Sequence, residues 1–359
     1  MISNTTETAQ SLRLEASPDS CFWGYFDSGS APALTVEAGT VIEIEAVTHH
    51  SGDAPDLLMD DGIRAIWDGI APEARTPGVH VMTGPIEIAG AEPGDALVVE
   101  ILDMWPRLAF GSNCAAHWGR LYDDFAKERI TIYELDDPPL RLEGVGYAGF
   151  PATAHPLFGF DFTERELYDL PGVVSTPDPE VREAFSRTVS VPVRPHLGVM
   201  GVAPPGIERV SSVPPGVFGG NVDNWRFGPG AVIRYPVFHP GAMFFVGDPH
   251  FGQGDGELCG TAIEASLDVR LRLSIEPGLA PEAPLLEHGG LVYTHGFGAN
   301  LDDAMLHAAR QTVDLLTDRF GLTKDEAYSI ASVAVDIGIT QVVDGTVGCH
   351  AAIDPSMFG

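Results

Sequence analysis

The sequence FGGNVDNWRFGPGAVIRYPVFHPGAMFFVGDPHFGQGDGELCGTAIE, which runs from Phe218 to Glu264, contains the strongest signals for both fold and function. Gly228-Pro229-Gly230 precedes an apolar run over Ala231 to Phe238. Pro240-Gly241 precedes a second apolar run over Ala242 to Val246. Glycine and proline turns that open short apolar runs are typical of antiparallel β-structure. The stretch therefore predicts two strands joined by tight turns.

The same pattern, a glycine-containing turn followed by an apolar run, recurs towards the N-terminus. Glu37-Ala38-Gly39 precedes Thr40 to Val47, in which apolar and acidic residues alternate, and Glu92 to Asp95 precedes Ala96 to Leu102. The 41 glycines and 29 prolines also favour a turn-rich β-fold. We therefore predict a mixed, β-rich α+β fold, with an antiparallel β-sandwich or barrel as its body.

The last third of the chain changes to a helical pattern. Leu301 to Phe320 carries apolar residues at helical spacing, and Thr323 to Glu326 forms a capping box that opens a helix to about Val335. Ile337 to Val343 returns to a strand pattern. We predict a small C-terminal α/β layer packed on the β body. In the less regular middle third, we predict short helices over Trp118 to Arg129 and from Asp178-Pro179-Glu180 onwards.

Three regions follow from these patterns. They are an N-terminal β-rich region (1–190), a β-rich region with the polar glycine-rich motifs (191–290) and the C-terminal α/β layer (291–359). The boundaries are approximate, and the three regions can equally form one compact unit.

The composition limits the possible partners. The 359 residues include 51 acidic and 20 basic side chains, for a formal charge of −31. This charge argues against nucleic acid or an anionic membrane as partner, because phosphates would be repelled. It does not hinder a small neutral substrate, and it is also what solubility or adaptation to salt would produce.

The cysteines and the N-terminus indicate a cytoplasmic protein. The four cysteines, at 21, 114, 259 and 349, form no CxxC pair. The N-terminal segment is polar and lacks the apolar core of a signal peptide. No run approaches the ~20 apolar residues of a membrane helix.

Asp248 and His250 are the leading candidates for metal ligands. Pro249 disfavours helical geometry at Asp248, and in an extended segment residues two apart point to the same side. A carboxylate and an imidazole that converge from a glycine-rich turn suit a divalent ion, above all zinc. The alternative is structural, with Asp248 capping a turn and His250 bonded to a backbone carbonyl.

The loop His49-His50-Ser51-Gly52-Asp53 offers a third ligand, because it follows a predicted strand. Adjacent histidines in a strand point to opposite sides. His50 shares the face of Ile42 and Ile44 if the alternation continues, so we predict His50 as the ligand and Asp53 as its neighbour at the site. An exposed loop pair is the alternative.

Several motifs resemble the acetamidase/formamidase family of metal-dependent amide hydrolases. They are GGNVDN, GDPHFGQGDGELCGTAIE and DIGITQVVDGTVGCHAAI, supported by TGPIEIAGAEPGD (from Thr83) and GVMGVAPP (from Gly198). The resemblance implies hydrolysis of formamide- or acetamide-type substrates to a carboxylate and ammonia, in a homo-oligomer. A lactam or carbamate hydrolase of the same family is the alternative, and a non-catalytic metal-binding β-protein is the alternative outside enzymes.

Glu264, in the family-like Ile263-Glu264 step, is the predicted catalytic proton carrier. It stands near the start of a predicted strand over Thr261 to Leu273, and a carboxylate beside activated water suits general-base hydrolysis. The alternative is that Glu264 merely opens a solvated strand face. Glu257 and Asp255 are rivals for the proton carrier, or ligands of a second, harder ion such as calcium.

The remaining candidates have supporting roles. Asn221 and Asp223 could orient substrate or a metal-ligating histidine, or simply form a turn. Cys259 is disfavoured as a nucleophile, because the Cys-Glu-Lys arrangement of nitrilase-type amidases needs a lysine and none lies between Lys127 and Lys324. The pocket-narrowing candidates are the neighbouring aromatic residues Trp225, Phe244, Phe245 and Phe251.

Overall fold

The computed structural model describes residues 12–125, 127–136, 152–162 and 181–359. The predicted helix start at Asp178 lies outside the described residues. The strands are β1 Leu12–Leu14, β2 Cys21–Trp23, β3 Tyr25–Phe26, β4 Leu34–Glu37, β5 Thr40–Ala46, β6 Val81–Ala89, β7 Ala96–Pro106, β8 Phe110–Ala115, β9 Glu128–Leu135, β10 Thr153–Phe162, β11 Glu183–Ala184, β12 Val191–Pro192, β13 His196–Gly201, β14 Val210–Ser211, β15 Gly219–Asn221, β16 Val232–Pro236, β17 Phe244–Gly252, β18 Ile263–Glu264, β19 Leu267–Glu276, β20 Leu285–His288, β21 Leu291–Gly298, β22 Asp336–Ile339 and β23 Val347–Ile353. The α-helices are α1 Pro55–Leu58, α2 Asp61–Gly69, α3 Leu301–Phe320 and α4 Lys324–Ala334. Short 3₁₀ turns span His49–Gly52, Pro72–Ala74 and Pro355–Met357.

Two large sheets form the body of the protein. The first has the order β1-β5-β19-β7-β16-β20-β21-β23-β22, and the second runs β11-β10-β9-β8-β18-β17-β13-β15, with β6 joined to β17, β2 and β4, and β12 joined to β10. Most pairs are antiparallel, whereas β1–β5 and β4–β6 are parallel. The predicted β-rich fold is confirmed as a sandwich, because each sheet keeps open edges and does not close into a barrel.

The core lies between the two sheets. It combines Ile42 and Val269 of the first sheet with Ile86, Val199 and Val246 of the second. Each of these side chains is at most 1% exposed. Burial of this kind is the main stabilising term in folding, and it fixes the strands that carry the polar site.

The C-terminal layer forms as predicted. Helix α3 begins at its N-cap Asn300, whose side chain accepts the Asp303 N–H, and ends at Gly321 in the left-handed conformation. Helix α4 has the predicted capping box between Thr323 and Glu326. Helix α3 packs on β21 and β23. These two strands and β22 form the end of the first sheet, so the layer is continuous with that sheet.

Three local predictions are corrected. The segment after Trp118 forms turns and then β9, with no helix before Glu128 among the described residues. The strand predicted over Thr261 to Leu273 is broken between β18 and β19. The strand predicted over Ile337 to Val343 ends at Ile339. Among the described residues, no helix is long and apolar enough to cross a membrane.

Candidate active site

The polar site is built on β17, in the second sheet. His250 on β17 pairs in register with His196 of β13 on one side and with Glu264 of β18 on the other. Glu264 in turn pairs with Ser112 of β8. The sheet therefore holds the side chains of His196, His250 and Glu264 next to one another, on three neighbouring strands.

Lewis-basic atoms converge at His250. Its Nε2 lies 3.1 Å from Asp248 Oδ2 and 3.0 Å from Glu264 Oε2. All three residues are buried, at most 4% exposed. Neither His250 Nε2 nor Glu264 Oε2 has a hydrogen-bond partner among the described residues. Buried polar atoms without a partner are rare, and they mark places where an ion, a water molecule or a ligand is expected.

Asp248 contacts His250 from a backbone conformation that differs from the predicted extended one. Its backbone φ is +49°, in the left-handed region rather than the extended one. Such a conformation costs a non-glycine residue energy, and it persists where the surroundings enforce it, often at functional sites. The two side chains nevertheless meet, as the sequence predicted.

Gly198 allows this close packing. A β-carbon at this position of β13 would lie 2.5 Å from both Asp223 Oδ1 and Asp248 Oδ2, and 2.6 Å from His250 Cε1. Only glycine leaves room for these groups.

A second group of candidate ligands shares Asp248. The ring nitrogens of His49 and His80 and a carboxylate oxygen of Asp248 lie within 4.8 Å of one another. His80 Nε2 is 3.8 Å from Asp248 Oδ2, and its Nδ1 contacts Ser212 Oγ at 3.0 Å. His80 directly precedes β6. The sequence prediction missed it, although it lies only three residues before the family-like TGPIEI segment.

His50 and Asp53 form a pair beside this group. The loop after β5 is a 3₁₀ turn, so the strand alternation that favoured His50 over His49 does not continue. His50 Nδ1 lies 3.0 Å from Asp53 Oδ2. Its ring is 4.2 Å from that of His49. Although burial opposes a charge on His50, the carboxylates of Asp53 and Glu264 raise its pKa to about 9.

A third group lies on the other side of His250. Ligand atoms of Asp223, His250 and Glu257 fall within 4.8 Å of one another. Asp223 and Glu257 have φ values of +49° and +47°. The carboxyl group of Asp344, which the sequence prediction missed, meets that of Asp223. Two carboxyl groups in contact form a hydrogen bond only when one of them keeps its proton.

The other predicted residues have distinct surroundings. Asn221 ends β15, and its Oδ1 is buried without a partner. Asp255 is bound to Arg226 at 3.1 Å and accepts the Trp225 indole N–H at 2.8 Å. Cys259 Sγ lies 3.1 Å from Asn113 Nδ2. Phe244, Phe245 and Phe251 belong to the apolar core.

Burial governs the acidity of the site carboxyl groups. Burial and the charge of Asp248 raise the pKa of Asp223 to about 7. Burial also raises the pKa of Glu264, with His250 opposing the rise. Burial and the charge of Asp223 raise the pKa of Glu257 well above its usual value. Perturbed pKa values of this kind cluster at functional sites.

His196 contacts His250, and Gln253 contacts both His196 and the backbone of Asp223. His196 Nε2 lies 3.0 Å from His250 Nδ1, and His196 Nδ1 lies 2.7 Å from the Arg194 carbonyl oxygen. Gln253 contacts His196 Nε2 at 2.9 Å and donates to the Asp223 carbonyl at 2.8 Å. Partners of this kind orient ligand histidines. No local signal marked His196, because only strand pairing brings it to His250.

The donor set fits a divalent cation. Imidazole nitrogens and carboxylate oxygens are the ligands that zinc prefers in catalytic sites. Here such atoms face one another at 3.0–3.1 Å, and neither His250 Nε2 nor Glu264 Oε2 has a hydrogen-bond partner among the described residues. A cation bound among Asp248, His250 and their neighbours would satisfy these lone pairs.

A cavity of about 340 Å³ opens beside the site. Its lining includes Gln253 and Ala262. The Ala262 N–H donates to Glu264 Oε1 at 2.8 Å. The cavity wall is therefore in direct contact with the candidate catalytic carboxylate.

Fold and site together define a β-sandwich protein with a buried histidine–carboxylate centre. The Acetamidase/Formamidase family matches residues 31–207 and 206–358. Because these matches span most of the chain, the protein belongs to this family, as its motifs predicted.

Individual relatives agree with this assignment. The chain is 31% identical over 283 residues to an acetamidase of Mycolicibacterium smegmatis, covering 72% of this chain and 66% of the relative. It is 30% identical over 219 residues to a formamidase of Methylophilus methylotrophus, covering 54% of this chain and 52% of the relative. The matches thus span from about half to just under two thirds of these relatives.

Solved structures share the fold. An acetamidase from Bacillus halodurans superposes with a TM-score of 0.74 at 22% identity, covering 97% of this chain and 98% of that one. A predicted acetamidase/formamidase from Thermoanaerobacter tengcongensis superposes with a TM-score of 0.72 at 21% identity, covering 96% and 97%.

Proposed function

We propose that the protein hydrolyses short-chain amides of the formamide or acetamide type, releasing a carboxylate and ammonia. The observation that carries the proposal is the unsatisfied contact of His250 Nε2 with Asp248 and Glu264, in a member of the Acetamidase/Formamidase family. The two curated relatives named above support the same chemistry.

Glu264 is the proton carrier in this proposal. Its Oε1 is held by the Ala262 N–H, which leaves Oε2 directed at the reacting centre. The raised pKa lets Glu264 take a proton from water and keep it long enough to pass it to the leaving nitrogen. An amide nitrogen is a poor leaving group, so this protonation is essential.

The chain's own residues hold the metal and place the substrate. Asp248 and His250 are the central ligands, and His49 and His80 complete the set. Ligand atoms of His49, His80 and Asp248 lie within 4.8 Å of one another, whereas the predicted ligand His50 belongs to none of the three described groups that meet this criterion. A divalent cation there, most simply zinc, would supply Lewis acidity and lower the pKa of water. The unsatisfied Oδ1 atoms of Asn221 and Asp223 suit the N–H groups of a primary amide.

A second, harder ion such as calcium is part of the proposal. Asp255, a predicted ligand, is engaged by Arg226 and Trp225. Glu257, with Asp223 and Asp344, offers the oxygen ligands that calcium prefers. Elemental analysis that finds a single ion per chain, bound at His250, would remove this second site.

Ammonia release from formamide, acetamide, butyramide and a carbamate, together with ring opening of a lactam to its amino acid, tests the function directly. We expect turnover of the short linear amides, loss of activity with a chelator, and loss of bound metal in His250→Ala. Turnover of only the lactam or the carbamate would support the alternative hydrolases. Metal binding without turnover of any of these compounds would support a non-catalytic binding protein.

The proposal includes a cytoplasmic homo-oligomer without nucleic-acid or membrane partners. Light scattering at moderate salt tests the assembly, and a monomer alone would contradict it.

A further inference from the structure

We propose that the cavity beside the site binds amides whose acyl chain ends in a carboxylate, and that Arg194 determines this specificity. The inference rests on the proposed function and narrows its substrate class to monoamides of short dicarboxylic acids. Their hydrolysis adds water across the C–N bond and yields a dicarboxylate and ammonia.

The charge of the cavity lining carries the inference. Arg194 is the only charged residue among the described lining residues, which include no acidic residue. In a chain of 51 acidic and 20 basic residues, most surfaces are negative. The cavity, with its one positively charged residue, therefore differs from the mostly negative surface of the protein, and this charge favours binding of an anionic group.

The guanidinium of Arg194 is available for a ligand. It lies 4.4 Å from the centre of the Trp225 ring, and that of Arg226 lies 4.3 Å from the same centre. Arg226 is bound to Asp255, whereas no ion pair is found for Arg194 among the described residues. Stacking on an aromatic ring leaves the N–H fork of an arginine free to bind a carboxylate with two hydrogen bonds.

The remaining residues of the cavity lining suit the acyl chain of the substrate. Val191, Pro192 and Ile263 provide apolar surface. The Asn113 amide is occupied by the carbonyl oxygens of Thr261 and Ala262. Ala262, which also lines the cavity, donates its backbone N–H to Glu264 Oε1. The volume of about 340 Å³ is large for formamide, and it leaves room for a longer substrate.

Matched substrate pairs test the inference. Succinamate and glutaramate are compared with their neutral counterparts, butyramide and pentanamide, by kcat/KM for ammonia release. We expect the wild type to favour the anionic amides by about 10-fold or more, because hydrogen bonds between charged groups are the strongest class. Arg194→Gln should remove this preference by lowering kcat/KM for the anionic amides. Arg194→Lys should keep only part of it, because lysine lacks the bidentate fork.

Arg64→Gln is the matched control, because Arg64 is an exposed residue of α2 that does not line the cavity. It changes the net charge equally and should leave the preference intact. Equal effects of Arg64→Gln and Arg194→Gln, or a wild type that prefers the neutral amides, would overturn the inference while amide hydrolysis stands.

Calorimetry with succinate separates this inference from the proposed function. Succinate should bind the wild type more tightly than butyrate does, and Arg194→Gln should lose that difference, even if no amide is hydrolysed. Failure of all amide turnover contradicts the proposed function, whereas equal binding of succinate and butyrate to the wild type contradicts the role of Arg194.

Discussion

At the scale of single residues, the charged groups of the buried site stabilise one another against the cost of burial. Burial opposes a charge on His250, yet Glu264 and Asp248 raise its pKa well above its usual value. Burial likewise opposes the charge on Asp248, and His250 and His80 lower its pKa well below the usual range. Such mutual dependence means that removing one member leaves another buried and uncompensated.

Glu264→Gln tests the proton carrier. Glutamine keeps the shape and can still accept the Ala262 N–H, but it cannot carry the proton. We expect folding and metal content to persist while kcat falls ~10²-fold or more. Steady-state kinetics and elemental analysis measure the two effects. Loss of the metal would instead make Glu264 a ligand, and full activity in this variant with an inactive Glu257→Gln would place the proton carrier in the glycine-rich loop.

Gly198→Ala tests the packing of the site. The added β-carbon would come within 2.5 Å of Asp223 and Asp248 oxygens, so these side chains must move. We expect at least ~10²-fold lower kcat/KM, because small displacements of catalytic groups are costly. Gly359→Ala is the control, since its β-carbon would meet no atom within 4 Å. Wild-type kinetics in Gly198→Ala would show that these carboxylates do not need their observed positions.

The site residues that could be predicted from the local sequence lie close together in one sequence motif. Asp248 and His250 are two residues apart, and Glu264 follows after a single loop, so their convergence needs only one hairpin-like return of the chain. His80 and His196 reach the site through pairing of β6 and β13 with β17. Such pairing depends on the whole sheet, and no short pattern reports it.

At the scale of elements, turns and caps were predictable because their residues act locally. Helix α3 has the predicted bounds, Leu301–Phe320, because Asn300 and Gly321 cap it. The break between β18 and β19 was not predictable, because Ala265 and Ser266 continue the alternation of their neighbours. The break lies where the chain passes from the second sheet to the first, which separates Glu264 from the long strand β19.

Gly296→Ala tests the docking of α3 on β21. A β-carbon at Gly296 would overlap the Ala304 carbonyl oxygen and the Ala308 nitrogen, both in the helix backbone. The helix must shift away, so we expect the free energy of unfolding to fall by about 3 kcal/mol. Denaturant unfolding measures this loss. Gly359→Ala should again behave as the wild type. An equally stable Gly296→Ala would show that α3 can shift at little cost.

At the scale of the whole molecule, both sheets contain strands from 12–190 and from 191–290. For example, β7 lies between β19 and β16. The predicted boundary near residue 190 therefore does not separate the hydrogen-bonded sheets, although it remains a prediction for folding units. The sandwich was predictable from its turns, whereas the strand order was not, because it is set by contacts between distant segments.

Buried histidines make the whole fold sensitive to acid. Burial and the charge of His350 lower the pKa of His295 from 6.5 to about 3. His295 Nδ1 donates to the Pro284 carbonyl at 2.8 Å, and its Nε2 lies 3.0 Å from Asn224 Nδ2, so the neutral ring is satisfied. As the pH falls below 6.5, the unfolded chain binds a proton at this residue and the folded chain does not. Stability is therefore present above pH 6.5 and is lost towards pH 3.

From pH 7 to pH 5, His295 alone should lower the free energy of unfolding by about 2 kcal/mol. His295→Gln should be less stable at pH 7, because it loses packing, but its further loss down to pH 5 should be smaller than that of the wild type by about this amount. Denaturant unfolding at pH 7, 6 and 5 measures the two slopes. Parallel slopes in His295→Gln and the wild type would show that protonation of His295 does not drive acid unfolding.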